Sequence, residues 1–313
     1  MRVLIVASYN KSRFAPFIVE QAEALKKQQC EIAWFGLQGK GLMGYLKNLP
    51  ALKKKIREFQ PDVVHAHYGL SGLLANLQRG VPVVTTYHGS DINDKKALRF
   101  SKMAMHLSAW NIFVSRKTLE IADQKKKYSL LPCGIDMTDL QLMERNEARQ
   151  NLNLTEHKKY ILFAGAFDNA VKNAPLAKEA VSLMQDDNVE LHELKGYSRE
   201  EVTLLMCAAD AFLMTSFSEG SPQVIKEAMA CGCPIVSVDV GDVKERVEGV
   251  EECYVTQTRE PQEIAGLLKK ALSFNGRNKG RERVLADGLD NGQIAERLVD
   301  LYNRMSKKRR CCL

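Results

Sequence analysis

Short apolar runs alternate with amphipathic stretches along the whole of this 313-residue chain. Strands separated by helix-length segments predict parallel β-α-β units. The runs are continuously apolar, as expected for strands that are covered on both faces. The predicted strands are Val3–Ala7, Glu31–Phe35, Val63–His65, Val81–Thr85, Ile112–Val114, Tyr160–Ala164, Val189–Glu193, Ala211–Met214, Ile235–Val238 and Cys253–Val255. The pattern therefore predicts an α/β protein with parallel sheets.

The strand series restarts near the middle of the chain. Residues 144–159 are polar and contain no strand candidate, and the apolar run that follows reads as the first strand of a second domain. The length is sufficient for two domains of about 150 residues each. We predict Rossmann-like domains at residues 1–155 and 156–292, followed by a terminal helix at about residues 293–313. An apolar stripe along that helix is suited to packing on a domain, and its members are Ile294, Leu298, Leu301 and Met305.

Composition narrows the class of protein. A hydrophobic content of 45% and a charged content of 27% are ordinary for a soluble globular chain. The apolar run at the start is too short for a signal-peptide core, and no run approaches the roughly 18 apolar residues of a membrane span. We therefore expect a cytoplasmic protein. The eight cysteines include no Cys-x-x-Cys pair, so neither a zinc site nor a disulfide framework is predicted.

The net charge of +7 is concentrated in three basic clusters, at residues 53–57, 125–127 and 307–310. Each cluster by itself is typical of a solvated helix face or a basic tail. The alternative is attraction to an anionic membrane surface, to which each basic residue contributes about 1 kcal/mol, so peripheral association at the inner face of the membrane stays open. No recognition helix, zinc finger or RNA-binding signature is present, and no nucleic-acid partner is predicted.

The segment from Ser218 to Pro234 carries the clearest functional signal. Ser221 followed by Pro222 predicts an N-cap and the first helical residue. Gly232 and the proline that ends the segment predict the stop of the same helix. A helix N-terminus carries partial positive charge and N–H groups that suit a phosphate.

Two carboxylates flank this predicted helix start. Glu219 precedes the helix and Glu227 lies in its second turn. Carboxylates accept hydrogen bonds from paired hydroxyls, so they suit a sugar. The segment therefore predicts a site for a molecule that is part phosphate and part sugar, and the alternative is an ordinary capped surface helix with two solvated acids.

The same segment resembles the Glu-x7-Glu signature of the retaining nucleotide-sugar glycosyltransferases of family 4. Glu-Gly-Ser-Pro begins it, Glu-Ala-Met-Ala-Cys-Gly follows, and a Pro-Ile-Val-Ser strand comes next. The resemblance implies the GT-B fold, with two Rossmann-like domains whose parallel sheets face a central cleft. It also implies that the first domain binds the acceptor, the second binds the nucleotide-sugar, and the C-terminal helix crosses back to the first domain.

The resemblance implies a set of site residues. His88, in a strand-end His-Gly-x-Asp, approaches the transferred sugar, Lys172 contacts the diphosphate and Glu219 positions the sugar, so these three are the expected catalytic residues. The expected nucleotide-sugar contacts, including Glu227 at the ribose diol, are Gly165, Lys172, Gly196, Tyr197, Gly220, Ser221, Pro222, Gln223, Val224 and Glu227. The expected acceptor-side residues are Asn10, Lys11, Ser12, Arg13 and His67.

One position departs from the family pattern. Ala166 stands where the family usually has an arginine against the diphosphate, which removes a cation from the site. Lys11 and Arg13 are candidates to replace it. No Asp-x-Asp motif is present, so the resemblance implies transfer without a metal or other cofactor, with retention of anomeric configuration by front-face attack.

Two alternatives remain. A nicotinamide-dependent oxidoreductase would need Gly-x-Gly-x-x-Gly after the first strand, and the sequence Ala-Ser-Tyr-Asn-Lys found there has no glycine. A non-catalytic nucleotide-sugar or glycan-binding protein with the same fold is favoured only by Ala166. We predict a glycosyltransferase that uses a UDP-sugar and a glycan or lipid-linked glycan acceptor in bacterial surface-polysaccharide synthesis.

Overall fold

The computed structural model describes residues 1–138 and 140–310, without the side chains of residues 308–310. The chain divides into two compact units. The first comprises Met1–Gly134 together with the chain from Leu289 onward, and the second comprises Ile135–Gly288. All ten predicted strands are confirmed, with bounds that differ by at most two residues.

The first unit contains a six-stranded sheet in which every neighbouring pair is parallel. Its order is β2-β1-β3-β4-β5-β6. The strands are β1 (Arg2–Ser8), β2 (Glu31–Leu37), β3 (Val63–His67), β4 (Val83–Tyr87), β5 (Trp110–Phe113) and β6 (Tyr128–Leu130). Strand β6 was not predicted, because its three residues follow a run of lysines at the sheet edge and bury little apolar surface.

Helices cover the two faces of this sheet. The helices are α1 (Pro16–Lys27), α2 (Gly41–Leu46), α3 (Leu49–Phe59), α4 (Gly69–Asn76), α5 (Ser90–Asn93), α6 (Lys95–Leu107), α7 (Arg116–Ala122) and, at the C-terminus, the helix Asn291–Arg310. The C-terminal helix packs against α1 and β3, and its predicted apolar stripe belongs to a core cluster that also contains residues of β1. Its Tyr302 hydroxyl lies 2.5 Å from Nδ1 of His65 on β3, so a buried polar contact also joins this helix to the first unit.

The second unit contains a five-stranded parallel sheet of order β11-β10-β9-β7-β8. Its strands are β7 (Lys159–Phe163), β8 (Val189–Glu193), β9 (Ala211–Met214), β10 (Ile235–Val238) and β11 (Cys253–Thr256). Its helices are α8 (Arg145–Asn151), α9 (Ala174–Ser182), α10 (Arg199–Ala208), α11 (Gln223–Ala230), α12 (Val243–Val247), α13 (Pro261–Ser273) and α14 (Gly280–Ala286), so the C-terminal helix is α15.

Helix α8 belongs to the second unit, although the predicted domain boundary at residue 155 places it in the first. Its Arg149 is buried and donates to the carboxylate of Asp210 at 2.6 Å and to the carbonyl of Ala208 at 3.1 Å. Asp210 immediately precedes β9, and the same carboxylate oxygen, Oδ2, also accepts from the amide of Tyr160 on β7 at 2.8 Å. Helix α8 is therefore attached to two strands of the second sheet.

Each sheet has one position where the strand order reverses. In the first unit the chain goes from β1 outward to β2 and then returns to place β3 on the other side of β1. In the second unit it goes from β7 to β8 and then returns to place β9 on the other side of β7. In open parallel sheets, ligands bind beyond the carboxyl ends of the strands at such positions.

The six cysteines that the structure describes are all free, and five of them are buried. This agrees with the small apolar role expected of free cysteines. None of the described helices combines the length and the apolar composition that crossing a membrane requires.

Candidate functional site

Two of the three predicted catalytic residues meet at the strand reversal of the second unit. Lys172 ends a 3₁₀ turn (Ala170–Lys172) that follows β7, and Glu219 lies in the loop that follows the neighbouring strand β9. The ammonium Nζ of Lys172 lies 2.8 Å from Oε1 of Glu219, and both side chains are less than one fifth exposed. The cation predicted for a diphosphate and the carboxylate predicted for a sugar therefore share one location.

Gly165 makes room for the Lys172 side chain. A Cβ atom at Gly165 would lie 2.8 Å from Cγ of Lys172 and 3.1 Å from its Cδ and Cε. Such contacts are far shorter than ordinary van der Waals distances between carbons. Any side chain at this position would therefore displace the ammonium, which gives Gly165 a role that its sequence context alone did not specify.

Helix α11 begins one residue later than predicted. Pro222 is the N-cap and Gln223 is the first helical residue, whereas the sequence predicted Ser221 as the cap. The prediction was wrong because the Ser221 hydroxyl donates to the buried carboxylate of Asp242 at 2.8 Å instead of capping the helix. The predicted anion-binding residues Gln223 and Val224 still form the first turn, where N–H groups have no acceptor within the helix.

The loop after β10 supports this helix start and was missed by sequence reasoning. Gly241 has a φ of 53°, and a Cβ there would lie 2.7 Å from the carbonyl oxygen of Gly220. Burial raises the pKa of the neighbouring Asp242, which also forms an ion pair with Arg246, whose Nε lies 3.3 Å from Oδ2 of the aspartate. The signal that could have found these residues is the Gly-Asp pair that follows a predicted strand at the same edge of the sheet.

Glu227 lies in the second turn of α11, as predicted, and is buried. Its Oε1 accepts a hydrogen bond from Nη2 of Arg199, the first residue of α10, at 3.1 Å. Arg199 was not among the predicted site residues. Its charge sits beside the carboxylate that the resemblance assigns to a ribose.

The remaining predicted nucleotide contacts lie in a loop after β8. Gly196 and Tyr197 are exposed there, with Tyr197 41% accessible. The amide of Leu194 donates to the carbonyl of Gly165 at 2.8 Å, so this loop contacts the one that holds Lys172. Ala166 lies in the loop that holds Lys172, and its methyl side chain carries no charge.

The predicted acceptor-side loop of the first unit lines a cavity of ≈ 550 Å³. Asn10, Lys11 and Arg13 contribute to its wall, whereas Ser12, with a φ of 53°, does not. Tyr68, just after β3, also lines this cavity. The cavity therefore lies where β1 and β3 separate, which is the strand reversal of this sheet.

Three histidines form a contiguous group in the first unit. His65 lies in the middle of β3 and His67 ends it, both are fully buried, and His88 follows the adjacent strand β4. Nδ1 of His67 lies 3.0 Å from Nε2 of His88, and Nδ1 of His88 lies 3.7 Å from the sulfur of Cys133. His67 was predicted to be a wall of the acceptor site, but it is not among the residues that line the cavity and is buried against His88 instead.

Asp91 fixes the backbone around His88. Its carboxylate accepts from the amides of His88 and Gly89 at 3.0 Å each and from the amide of Gly69 at 2.9 Å. Burial raises the pKa of Asp91 to about 6 despite these hydrogen bonds. The His-Gly-x-Asp sequence thus forms a closed turn at the end of β4, and this explains why the aspartate follows the histidine at that spacing.

The buried histidines predict a stability that depends on pH. Burial lowers the pKa of His65 to about 3, and burial together with the nearby His65 and His88 lowers the pKa of His67 well below 6.5. The unfolded chain therefore binds protons below about pH 6.5 that the folded unit does not bind. Each histidine should reduce the free energy of unfolding by about 1.4 kcal/mol for each pH unit below that value.

We expect the free energy of unfolding of His67→Gln to fall less steeply as the pH decreases. The difference in slope should be the contribution of one histidine, about 1.4 kcal/mol for each pH unit. Urea unfolding of the first unit can be followed between pH 5 and 7 by tryptophan fluorescence, because both tryptophans, Trp34 and Trp110, lie in that unit. His106→Gln removes an exposed histidine of the same unit and is the matched control. An unchanged slope in His67→Gln would contradict the assignment of a neutral buried ring.

No three His, Cys, Asp or Glu side chains within residues 1–138 and 140–310 cluster as a metal site requires. That sugar transfer needs no metal stays a prediction.

Family models match both units. A model described as glycosyltransferase family 4 matches residues 15–139, and one described as glycosyl transferases group 1 matches residues 175–273. The chain belongs to the family 4 glycosyltransferases. The second match contains Glu219, Glu227 and Arg199, whereas Gly165 and Lys172 lie just before it.

Curated relatives are glycosyltransferases of low identity. TuaC of Bacillus subtilis strain 168, assigned to teichuronic acid biosynthesis, is 28% identical in an alignment of 218 residues that covers 60% of this chain and 56% of TuaC. The amylovoran biosynthesis glycosyltransferase AmsK of Erwinia amylovora is 26% identical, over 76% of this chain and 67% of its own. A D-inositol 3-phosphate glycosyltransferase of Nocardioides sp. strain JS614 is 24% identical, over 78% and 67%. The matches thus span between about half and two thirds of these relatives.

Solved structures share the fold of this member of the family. Sucrose-phosphate synthase of Thermosynechococcus elongatus superimposes with a TM-score of 0.82 at 18% identity, over 97% of this chain and 98% of the other. Anabaena HepE, solved in complex with UDP, superimposes with a TM-score of 0.78 at 15% identity, over 97% and 100%. The fold is therefore GT-B, with two Rossmann-like units.

Proposed function

We propose that this protein is a retaining glycosyltransferase that moves a sugar from a UDP-sugar to a glycan or lipid-linked glycan acceptor. The observation that carries the proposal is the Lys172–Glu219 pair beside the start of helix α11, at the strand reversal of the second unit. An ammonium and a helix N-terminus suit a diphosphate, and a carboxylate suits sugar hydroxyls. Glu227 would then hold the ribose.

The proposed reaction needs charge stabilisation more than it needs a base. When the bond between the sugar anomeric carbon and the phosphate oxygen breaks, its electron pair stays on the phosphate, and the sugar ring becomes oxocarbenium-like. Lys172 and the first turn of α11 stabilise the leaving phosphate, and Glu219 holds the sugar. The acceptor oxygen bonds to the same face of the sugar, and its proton passes to the leaving phosphate oxygen, so neither a metal nor an enzyme nucleophile is required.

The proposed donor and pathway rest on likeness. HepE was solved with UDP and with UDP-glucose, which makes a UDP-sugar the first donor to test. TuaC and AmsK are named for the biosynthesis of teichuronic acid and amylovoran, which favours a role in surface-polysaccharide synthesis. His88 is proposed to approach the transferred sugar, and the loop Asn10–Arg13 to contact the acceptor.

A cytoplasmic location with peripheral contact to the inner face of the membrane completes the proposal. Helix α3 packs Leu52 into the core of the first unit, while Lys53, Lys54 and Arg57 are exposed. Such a basic face suits anionic lipid. Sedimentation with phosphatidylcholine vesicles, with and without phosphatidylglycerol, tests this membrane contact. Binding that requires the anionic lipid and is lost at high salt would support the contact. Absence of binding to both kinds of vesicle would contradict it.

Turnover of a sugar nucleotide tests the proposed activity. The protein is incubated with UDP-glucose, UDP-galactose and their N-acetylated counterparts, released UDP is measured, and proton NMR identifies the anomer of the product. We expect release with at least one donor, by transfer or by slow hydrolysis, and an α-configured first product from an α-configured donor. A β-configured first product would contradict retention.

A non-catalytic nucleotide-sugar or glycan-binding protein is the second candidate, and Ala166 is the observation that favours it. The family's arginine at this position would place a second cation near Lys172, and the chain has only a methyl group there. Tight UDP binding without release of UDP from any donor, even with glycan or lipid-linked glycan acceptors present, would favour this candidate over the transferase.

A further inference from the structure

Arg199 and Glu227 form an ion pair that the sequence analysis did not predict. Nη2 of Arg199 lies 3.1 Å from Oε1 of Glu227. The glutamate side chain is 10% exposed, whereas the arginine side chain is 39% exposed. A nearly buried carboxylate is thus reached by a cation that approaches from the solvent side.

The start of helix α10 fixes where Arg199 stands. Ser198 is the N-cap, its hydroxyl accepts from the amide of Glu201 at 3.2 Å, and its own amide donates to the Glu201 carboxylate at 2.7 Å. This reciprocal capping box defines the first helical turn. Thr203 adds a hydroxyl bond to the carbonyl of Arg199 at 3.2 Å. The backbone of Arg199 is therefore held independently of its side-chain partner.

The ion pair uses only part of the hydrogen-bonding capacity of the Glu227 carboxylate. An ionised carboxylate has about four lone-pair sites on its two oxygens, and a guanidinium nitrogen uses one of them. A charge-assisted bond from a planar guanidinium also limits the rotation of the carboxylate. Arg199 thus restricts the orientations of the Glu227 carboxylate before any ligand arrives.

We propose that Arg199 is a positioning residue that orients Glu227 toward a ribose diol and thereby makes the site selective for ribonucleotides. This inference rests on the proposed function, because it assumes that Glu227 meets the ribose of the donor. A preoriented carboxylate accepts from the vicinal hydroxyls without first losing rotational freedom. A 2′-deoxyribose lacks one of those hydroxyls and should gain little from the orientation.

The test measures binding of UDP and of 2′-deoxyUDP by isothermal titration calorimetry. The unaltered protein should bind UDP about 10- to 100-fold more tightly than 2′-deoxyUDP, as expected for a hydrogen bond to a charged group. Arg199→Ala should weaken the binding of UDP about tenfold and change the affinity for 2′-deoxyUDP by less than about threefold. The preference for UDP should therefore be reduced. Arg199→Lys, which keeps the charge, should recover part of it.

Two controls separate positioning from loss of structure. Retained affinity for 2′-deoxyUDP shows that the Arg199→Ala site is folded. Lys158→Ala removes a cation from a partly exposed ion pair with Glu190 elsewhere in the second unit and should leave both affinities unchanged. In a Glu227→Ala background, Arg199→Ala should have no further effect on the preference, because the two residues act as one unit.

Each contrary outcome has a distinct meaning. If Arg199→Ala weakened the binding of both nucleotides equally, the arginine would act on the phosphates or the base, and the inference would be overturned. Unchanged UDP binding would also overturn it. If the unaltered protein binds UDP and 2′-deoxyUDP equally, the ribose assignment of Glu227 fails while the donor site stands. If it binds neither these nor the other nucleoside diphosphates, the proposed function fails and the inference with it.

Discussion

Replacing Lys172 with alanine is expected to slow sugar transfer about 100- to 1,000-fold, the range measured when one preorganised group that stabilises developing charge is removed. The ammonium of Lys172 lies 2.8 Å from Glu219, where the diphosphate of the donor is proposed to sit. The alanine variant loses this cation and leaves the carboxylate without it, so the leaving phosphate meets a more negative site. Charge on the leaving group grows in the transition state, so kcat should fall more than KM rises.

Initial rates of UDP release at several donor concentrations measure both constants. Lys269→Ala is the matched control, because that lysine is exposed on helix α13, which contributes no residue to the proposed site. Its kcat should match that of the unaltered protein. Transfer by Lys172→Ala at the unaltered rate would show that another group stabilises the leaving phosphate, and the Lys172–Glu219 pair would lose its proposed role.

Replacing Asp210 with alanine is expected to destabilise the second unit by about 3–5 kcal/mol, the usual cost of leaving a buried charge without its partner. Asp210 is 1% exposed and accepts from Arg149 at 2.6 Å, from Arg145 at 3.3 Å and from the amide of Tyr160 at 2.8 Å. The variant would leave the guanidinium of Arg149, which is itself buried, without this carboxylate. The loss is a substantial part of the 5–15 kcal/mol by which a domain is ordinarily stable.

Urea unfolding measures this effect for each unit. Far-UV circular dichroism follows both units, and tryptophan fluorescence follows only the first, because Trp34 and Trp110 both lie there. The dichroism midpoint of the second unit should fall in Asp210→Ala. Glu190→Ala, which breaks a partly exposed pair with Lys158, should cost less than about 1 kcal/mol. Equal costs for the two variants would contradict the buried network.

The sequence predicted the sheets well because strands that are buried on both faces consist of continuous apolar residues. Strands such as Val3–Ala7 and Tyr160–Ala164 are continuous apolar runs, and their neighbours are separated by helix-length segments. The family resemblance also assigned Lys172 and Glu219 to one site. The structure brings them together because each follows a strand and the two strands are adjacent. The packing of the C-terminal helix on the first unit agreed with its apolar stripe.

The features that sequence missed depend on contacts between distant residues. Ser221 followed by Pro222 has the local chemistry of a cap, but a buried carboxylate 21 residues later takes the hydroxyl. Arg199 is one of many arginines until the folded chain sets it beside Glu227. The position of α8 depends on the Arg149–Asp210 pair, whose members are 61 residues apart. Local pattern carries no information on such pairings.

The central claim is that the second unit holds a nucleotide-sugar site at Glu227 and helix α11. The most direct test is thermal unfolding of the unaltered protein and of Glu227→Ala with UDP, GDP, ADP and dTDP, since a ligand that binds only the folded state raises the unfolding temperature. We expect one nucleotide, UDP, to raise the unfolding temperature of the unaltered protein and to have little effect on the variant. No rise with any nucleotide at millimolar concentration, or an equal rise in Glu227→Ala, would contradict the claim.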